Sequence, residues 1–215
     1  MKTIIDLANW NRREHFEFFS KKDEPYHGLV VNIDCTWAYR YCKEKQWSFF
    51  LFYLHRVLHA INKVDAMRYR ITDGQVVDFH SIHANATVQR TDHTFGFCPI
   101  FFDPDFERFV SQAQQAMQKV KDSMGLCFNE DCARPDVIHF SALPWMSFTG
   151  LTHARQLDGL DSVPKISVGK YFWQNDKLMM PVACFVHHGL VDGYHVHQFL
   201  QALEQMLASD TYTSD

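Results

Sequence analysis

The chain has 215 residues, of which 47% are hydrophobic and 15% aromatic, and its formal net charge is −4. A chain of this length can bury a substantial core within one domain, and this composition excludes global disorder. The acidic balance, without a long Lys/Arg run, argues against the basic surface that nucleic acids require. Small molecules are therefore the expected partners, and no nucleic acid is expected.

The sequence lacks the usual signals for membrane insertion or export. The first 19 residues break their apolar positions with charges, unlike a signal peptide or a membrane span. The longest apolar run, residues 47–54, is far shorter than the ~20 residues that cross a bilayer. The six cysteines are scattered without a CxxC pair, which predicts reduced thiols. We expect a cytoplasmic protein that does not bind membranes.

In chain order, the first half of the sequence predicts a strand, a helix, a hairpin and a second helix. The β-branched run 29–33 predicts the strand, and apolar residues at helical spacing predict the helix over 47–61. Asp73-Gly74 lies between two alternating runs and predicts a hairpin turn, because both residues tolerate positive φ. Asp103 is the expected N-cap of the second helix and Pro104 its first residue.

The second half predicts three strands and a final helix. The strands begin at Val137, Lys165 and Lys177, and the helix begins near Asp192 with one apolar face. The last five residues, TYTSD, are expected to be frayed. No linker or repeat divides the chain, so we expect one α/β domain over residues 1–215. Its two layers would be a mixed, largely antiparallel sheet and flanking helices.

Residues 181–196, PVACFVHHGLVDGYHV, concentrate three histidines and an aspartate where an apolar strand turns into a helix. Histidine has an unperturbed pKa of about 6.5, so a neutral imidazole in a dry pocket can take a proton from an alcohol. From the residues alone, His187 and His188 are equally well explained as packed or hydrogen-bonded histidines at a strand end. The spacing does not decide between these readings.

Three motifs, in the same order, resemble those of the chloramphenicol acetyltransferase family. Residues 187–196, HHGLVDGYHV, resemble its HHxxxDG signature, NWNRREHFEFF at 9–19 resembles its amino-terminal motif, and SALPW at 141–145 resembles its third. The DGQVV hairpin and GKY at 169–171 extend the similarity to nearly the whole chain. The resemblance implies the fold of that family and acetyl transfer from acetyl-CoA to a hydroxyl of chloramphenicol. Acetyl-CoA would be a co-substrate, with no permanently bound cofactor.

The resemblance also implies roles for five residues by motif position. His188 would be the general base in a ternary complex without an acyl-enzyme, and Ser141 would donate a hydrogen bond to the oxyanion. Asp192 would form an ion pair with Arg12 that holds the catalytic loop, rather than orient the imidazole as in a serine hydrolase. Gly193 would supply a tight turn. The alternative for Ser141 is a hydroxyl that caps a turn.

For coenzyme A, the resemblance points to Lys170 and Tyr171, with Ser167 near the reacting centre. An aromatic face suits adenine and a cation suits phosphate, although an ordinary strand exit explains the Lys-Tyr pair as well. The acceptor pocket matches less well, because residues 151–161 are more polar than is typical of the family. Five residues are expected to line the acceptor pocket: Phe19, Asn85, Phe95, Phe128 and His139.

The acceptor and the assembly follow from the same resemblance. The acceptor would be chloramphenicol or another amphipathic alcohol, and a steroid-like ligand is a secondary hypothesis. The resemblance implies a homotrimer with active sites at subunit interfaces, where His188 comes from one chain and most acceptor contacts from its neighbour.

Two further classes of function compete with an acetyltransferase. A zinc site needs three or four convergent ligands, and no CxxC or HExxH spacing accompanies the 13 histidines, so no metal is expected. A non-catalytic protein that sequesters an apolar ligand would explain the aromatic content equally well. Only an acetyltransferase would release CoA thiol and lose that activity on His188→Ala.

Overall fold

The computed structural model describes residues 1–155 and 161–209 as two β-sheets with flanking helices. These residues form ten strands: β1 (Lys2–Ile4), β2 (Tyr26–Asp34), β3 (Tyr69–Thr72), β4 (Gln75–Phe79), β5 (His83–Gln89), β6 (Phe95–Ile100), β7 (Val137–Leu143), β8 (Lys165–Gly169), β9 (Phe172–Gln174) and β10 (Lys177–His187). They form six helices: α1 (Arg13–Phe19), α2 (Thr36–Lys45), α3 (Phe49–Lys63), α4 (Asp65–Arg68), α5 (Phe106–Lys121) and α6 (Gly193–Ala208). The tail 211–215 and part of the polar stretch 151–161 lie outside the described residues.

The larger sheet is mixed and mainly antiparallel. Its strand order is β2-β10-β8-β7-β5-β6, with β9 also paired to β10. β10 runs antiparallel to β2, β8 and β9, and β5 runs antiparallel to β6, whereas β7 is parallel to both β5 and β8. A smaller antiparallel sheet has the order β1-β4-β3. This architecture confirms the predicted α/β class.

The two faces of the larger sheet have different side chains. On β7, Ile138 and Phe140 are buried beneath the helices, whereas His139 and Ser141 point to the opposite face, because side chains alternate along a strand. Burying a side chain such as Phe140 contributes about 2 kcal/mol. We call the face that carries His139 and Ser141 the open face. It also carries Ser167 and Asn85, the register partners of Ser141 and His139.

The predicted strands and the hairpin are confirmed. Residues 29–33 lie within β2, and three strands begin at the expected Val137, Lys165 and Lys177. At the turn between β3 and β4, Asp73 and Gly74 have φ of 52° and 73°, the left-handed region that a tight hairpin turn requires.

The helices confirm the expected order, but one predicted cap is wrong. The cap of α5 is Asp105, whose carboxylate accepts the backbone N–H of Arg108 at 2.9 Å, so Pro104 lies before the helix. The expected cap, Asp103, instead accepts the N–H of Asp105 and the guanidinium of Arg108. That two-residue turn leaves Asp105 as the residue that meets the free N–H groups of the helix. α3 begins at Phe49 rather than at residue 47.

No helix within the described ranges has the length and apolar character needed to span a bilayer.

A buried arginine connects the small sheet to the strand that carries Ser141. Arg70 on β3 is fully buried, and burial lowers its pKa to about 10. Its guanidinium donates to the backbone carbonyls of Met67, Tyr69, Pro135 and Val137 at 2.7–2.9 Å. Pro135 precedes β7, and Val137 is its first residue. Arg70 therefore fixes the start of this strand against β3.

Replacing Arg70 with methionine should destabilise the protein, because four buried carbonyls lose their donor. We expect Arg70→Met to lower the free energy of unfolding by at least about 3 kcal/mol, measured by urea denaturation. The matched control is Arg108→Met, whose side chain is 65% exposed and which should change stability by less than about 0.5 kcal/mol. Equal unfolding midpoints for the two variants would contradict this role.

Candidate active site

β10 ends at the histidine pair, and a tight turn follows. The N–H of His188 donates to the carbonyl of Pro25 at 2.8 Å, which extends the pairing of β10 with β2 by one step. The N–H groups of Leu190 and Val191 both donate to the carbonyl of His187 at 3.0 Å. These bonds fix the backbone on both sides of His188.

Of the two glycines in this segment, Gly189 is the one that the turn requires. A Cβ at Gly189 would lie 3.0 Å from Cε1 of His187, which is closer than ordinary packing allows. Gly193 is the first residue of α6 and has open space around its Cα. The expectation that Gly193 supplies the tight turn is therefore wrong. The chain has already turned before Asp192, which caps the helix.

The imidazole of His188 lies between two other rings. Phe19, the last residue of α1, stacks on it with centroids 3.8 Å apart and an interplanar angle of 8°. His27 on β2 lies 4.3 Å away at 42°. Nδ1 of His188 is buried and has no hydrogen-bond partner among the described residues. Phe19, expected in the acceptor pocket, thus contacts the histidine of its own chain.

The predicted pair of Arg12 and Asp192 is present. Nη1 of Arg12 lies 2.5 Å from Oδ2 of Asp192, while Oδ1 accepts the N–H groups of Tyr194 and His195 at the start of α6. Burial raises the pKa of Asp192, but the bond from Arg12 and the neighbouring charges outweigh it and lower this pKa to about 2. The charged carboxylate joins the amino-terminal motif to the end of the turn.

Ser141 and Ser167 lie side by side on the open face. They are partners in the register of β7 and β8. Ser167 is fully buried, and its Oγ has no hydrogen-bond partner among the described residues, whereas Oγ of Ser141 lies 3.5 Å from Oγ1 of Thr87. Both serines line a cavity of about 610 Å³, together with Phe95 and Trp145. This volume is in the range of small-molecule sites.

The other predicted acceptor residues are divided between two places. Asn85 and His139 are partners in the register of β5 and β7, two residues along the strand from Ser141. Asn85 is buried, and its Nδ2 donates to the carbonyl of Cys132 at 3.1 Å. Phe128 is 59% exposed and lines a separate hollow with Phe97. The structure therefore does not bring Phe128 to the serine cavity.

The two residues predicted to bind coenzyme A follow β8. The N–H of Lys170 donates to the carbonyl of Met146 at 2.9 Å, which holds this strand exit against the loop that follows SALPW. Tyr171 is 37% exposed, and its hydroxyl donates to that of Tyr39 at 3.3 Å. The ring of Tyr171 packs against Tyr39 and Phe49, and the backbone of Lys170 adjoins the loop after Trp145.

In a single chain, His188 and the serine pair are far apart. Ser167 pairs with Ala183 of β10, and His188 follows Ala183 by five residues. At about 3.3 Å per residue this separation is about 17 Å, and Ser141 lies one further strand away. A general base must lie about 3 Å from the hydroxyl that attacks the carbonyl. An oxyanion donor must lie about 3 Å from the oxygen of that same carbonyl. One chain does not bring His188 and Ser141 together.

Two histidines that contact these groups were not identified from the motifs. Nε2 of His27 lies 3.1 Å from the carbonyl of Val191, and burial lowers the pKa of His27, so its neutral ring supports both the turn and His188. His153 lines the serine cavity. Neither has a spacing signal, because each contact joins distant parts of the chain. Residues 1–155 and 161–209 contain no group of His, Cys, Asp or Glu side chains arranged to hold a metal ion.

Comparison with known proteins gives a consistent result along the chain. The family model described as chloramphenicol acetyltransferase matches residues 1–204. The chain is 29% identical to a chloramphenicol acetyltransferase of Escherichia coli over 211 residues, which cover 94% of this chain and 92% of that protein. It is 25% identical to that of Clostridium perfringens, covering 96% and 94% of the two chains.

Solved structures extend the similarity to three dimensions. A chloramphenicol acetyltransferase structure matches with a TM-score of 0.90 and 32% identity, over 96% of this chain and 100% of that one. The cubic core of the pyruvate dehydrogenase multienzyme complex matches with a TM-score of 0.71 at 14% identity, covering 86% and 82%, which shows a shared fold. With its matched motifs and this coverage, the chain belongs to the chloramphenicol acetyltransferase family.

Proposed function

We propose that this protein transfers acetyl from acetyl-CoA to a hydroxyl of chloramphenicol, with His188 as general base. The observation that carries the proposal is the position of the His188 ring, held between Phe19 and His27 with Nδ1 buried. A fixed imidazole with Nε2 available suits proton transfer from an alcohol. The names of the curated relatives support chloramphenicol as the acceptor.

The reaction needs one proton to move twice. Nε2 of His188 takes the proton from the acceptor hydroxyl as the oxygen attacks the thioester carbonyl of acetyl-CoA. The tetrahedral oxyanion accepts a hydrogen bond from Oγ of Ser141. The C–S bond then breaks, and the thiolate of CoA takes the proton from His188. Arg12 and Asp192 act by holding the turn, and no acyl-enzyme forms.

We further propose that the site is completed by a second copy of the chain. His188 and Ser141 of one chain are separated by well over 15 Å along and across the strands, so a neighbouring copy must supply one of them. A closed ring of three chains repeats such a head-to-tail interface. We therefore propose a homotrimer in which His188 faces the serine cavity of its neighbour.

The acetyl donor is proposed to enter the cavity from the Trp145 side. Tyr171 offers an aromatic face to adenine, and Lys170 offers a cation to phosphate. From there a pantetheine chain would extend along the loop at Met146 toward Ser141 and Ser167. The unpartnered hydroxyl of Ser167 is available to a group at the reacting centre.

The cellular setting of the proposal follows from the thiols. All six cysteines, which lie within the described residues, are free, as expected in a reducing compartment. We propose that the protein acts in the cytoplasm as one domain of residues 1–215.

Replacing His188 should reduce turnover sharply, because the acceptor hydroxyl loses the base proposed to take its proton. We expect His188→Ala to lower kcat by about 10³-fold in an assay of CoA thiol release with acetyl-CoA and chloramphenicol. His197→Ala, on the exposed side of α6, is the matched control and should retain wild-type activity. A wild type that acetylates only another alcohol would change the acceptor, and full activity in His188→Ala would disprove the mechanism.

Replacing Ser141 should slow the chemical step, because the oxyanion loses a donor as charge develops. We expect Ser141→Ala to lower kcat by about 10²-fold while the KM for chloramphenicol changes little. Ser111→Ala, an exposed helix position, serves as the control. If the KM rises and kcat stays the same, Ser141 is an acceptor contact instead.

Mixing the two inactive variants should restore activity if the site joins two chains. In trimers of co-expressed His188→Ala and Ser141→Ala chains, about a quarter of interfaces combine an intact His188 with an intact Ser141. Thiol release should then approach a quarter of the wild-type value, and each variant alone gives the background. Background activity in purified mixed trimers would refute the shared site.

A further inference from the structure

The open face beside the two serines carries polar and charged side chains. His139 and Lys165 lie two residues before Ser141 and Ser167 on β7 and β8. The register places them in a row with Phe185 of β10. Lys165 is only 3% exposed, because residues 161–163 cover it. Phe185 of this row contacts His153, which lines the cavity that holds the two serines.

The charge of Lys165 is compensated within the protein. Its Nζ lies 2.5 Å from Oδ2 of Asp161, whose other oxygen accepts the hydroxyl of Tyr26 at 3.0 Å. Tyr26 also donates to the carbonyl of Val163. Burial lowers the pKa of Lys165, and the ion pair with Asp161 only partly opposes this effect. Burial alone would raise the pKa of Asp161, but the ion pair and the hydrogen bonds outweigh it and lower this pKa. The paired Lys165 is therefore not free to bind a substrate anion.

His153 connects this row of residues to the cavity. Its ring meets the ring of Phe185 edge to face, with centroids 5.1 Å apart, and it lines the same cavity as Ser141 and Ser167. Nε2 of His153 is buried and has no hydrogen-bond partner among the residues that the structure describes. A buried polar atom without a partner is unfavourable, so a bound ligand that supplies the partner would remove that cost.

The protonation state of His153 limits the groups it can bind. Burial lowers the pKa of His153, and the charges of Lys165 and Arg155 lower it further, so the ring is neutral at physiological pH. A neutral imidazole donates one hydrogen bond from a ring N–H. A donor at this position needs a ligand group with oxygen lone pairs.

We propose that His153 binds the acceptor substrate through Nε2, at a polar oxygen other than the reacting hydroxyl. The inference rests on the acetyltransferase function proposed above. It defines the acceptor class as a hydroxylated molecule with an apolar body, which Phe95 and Leu151 contact, and a second hydrogen-bonding oxygen that reaches His153. His153 thus determines acceptor specificity and takes no part in proton transfer.

The test compares variants of His153 with a matched variant outside the cavity. His153→Leu removes the hydrogen bond and keeps a side chain of moderate size, and His153→Gln restores a donor. His197→Leu is the control, because it makes the same change at an exposed position of α6 that does not line the cavity. Thiol release is measured with chloramphenicol and with 2-phenylethanol, which has a hydroxyl but no second oxygen. Calorimetric titration measures chloramphenicol binding without turnover.

We expect His153→Leu to raise the KM and Kd for chloramphenicol by about tenfold, with kcat, the KM for acetyl-CoA and the thermal midpoint unchanged. The values for 2-phenylethanol should not change, His153→Gln should recover most of the affinity, and His197→Leu should match wild type. Equal chloramphenicol affinity in wild type and His153→Leu would overturn the inference and leave the proposed function intact. Wild type that binds chloramphenicol without turnover would refute the function while the titrations still test His153, and wild type that neither binds nor acetylates it would refute both.

Discussion

The ion pair between Arg12 and Asp192 joins the amino-terminal motif to the end of the turn that follows His188. The carboxylate of Asp192 also caps α6, so the same group fixes the helix and the turn that precedes it. The imidazole of His188 then stacks on Phe19, which lies seven residues after Arg12. The amino-terminal motif and the histidine motif are therefore one structural unit, although 180 residues separate the charged partners.

The sequence was informative where a signal is local. The Asp73-Gly74 turn, the starts of β7, β8 and β10, and the beginning of α6 depend on residues next to one another, and all were predicted. β5 was not predicted, because its sequence HANATVQ has few large apolar residues and is buried by its neighbours in the sheet. The choice between Asp103 and Asp105 as helix cap depended on a turn that spacing does not reveal.

The candidate site shows the same limit at longer range. Motif resemblance identified His188, Ser141, Arg12 and Asp192, because these residues occur in short characteristic runs. His27 and His153 lack such runs, and they matter only because folding places one beside His188 and the other beside Ser141 and Ser167. The two groups of residues lie about 17 Å apart along the strands, and no local pattern in the sequence reveals that separation.

Gly28 on β2 leaves room for the ring of Phe185 on β10. A Cβ on Gly28 would collide with the ring of Phe185, the same ring that His153 contacts edge to face. A larger residue at position 28 would therefore require the ring of Phe185 to move, and both positions are at least partly exposed in the single chain. Substitution on β2 would thus alter the surroundings of His153 through Phe185, while every side chain that lines the cavity stays chemically unchanged.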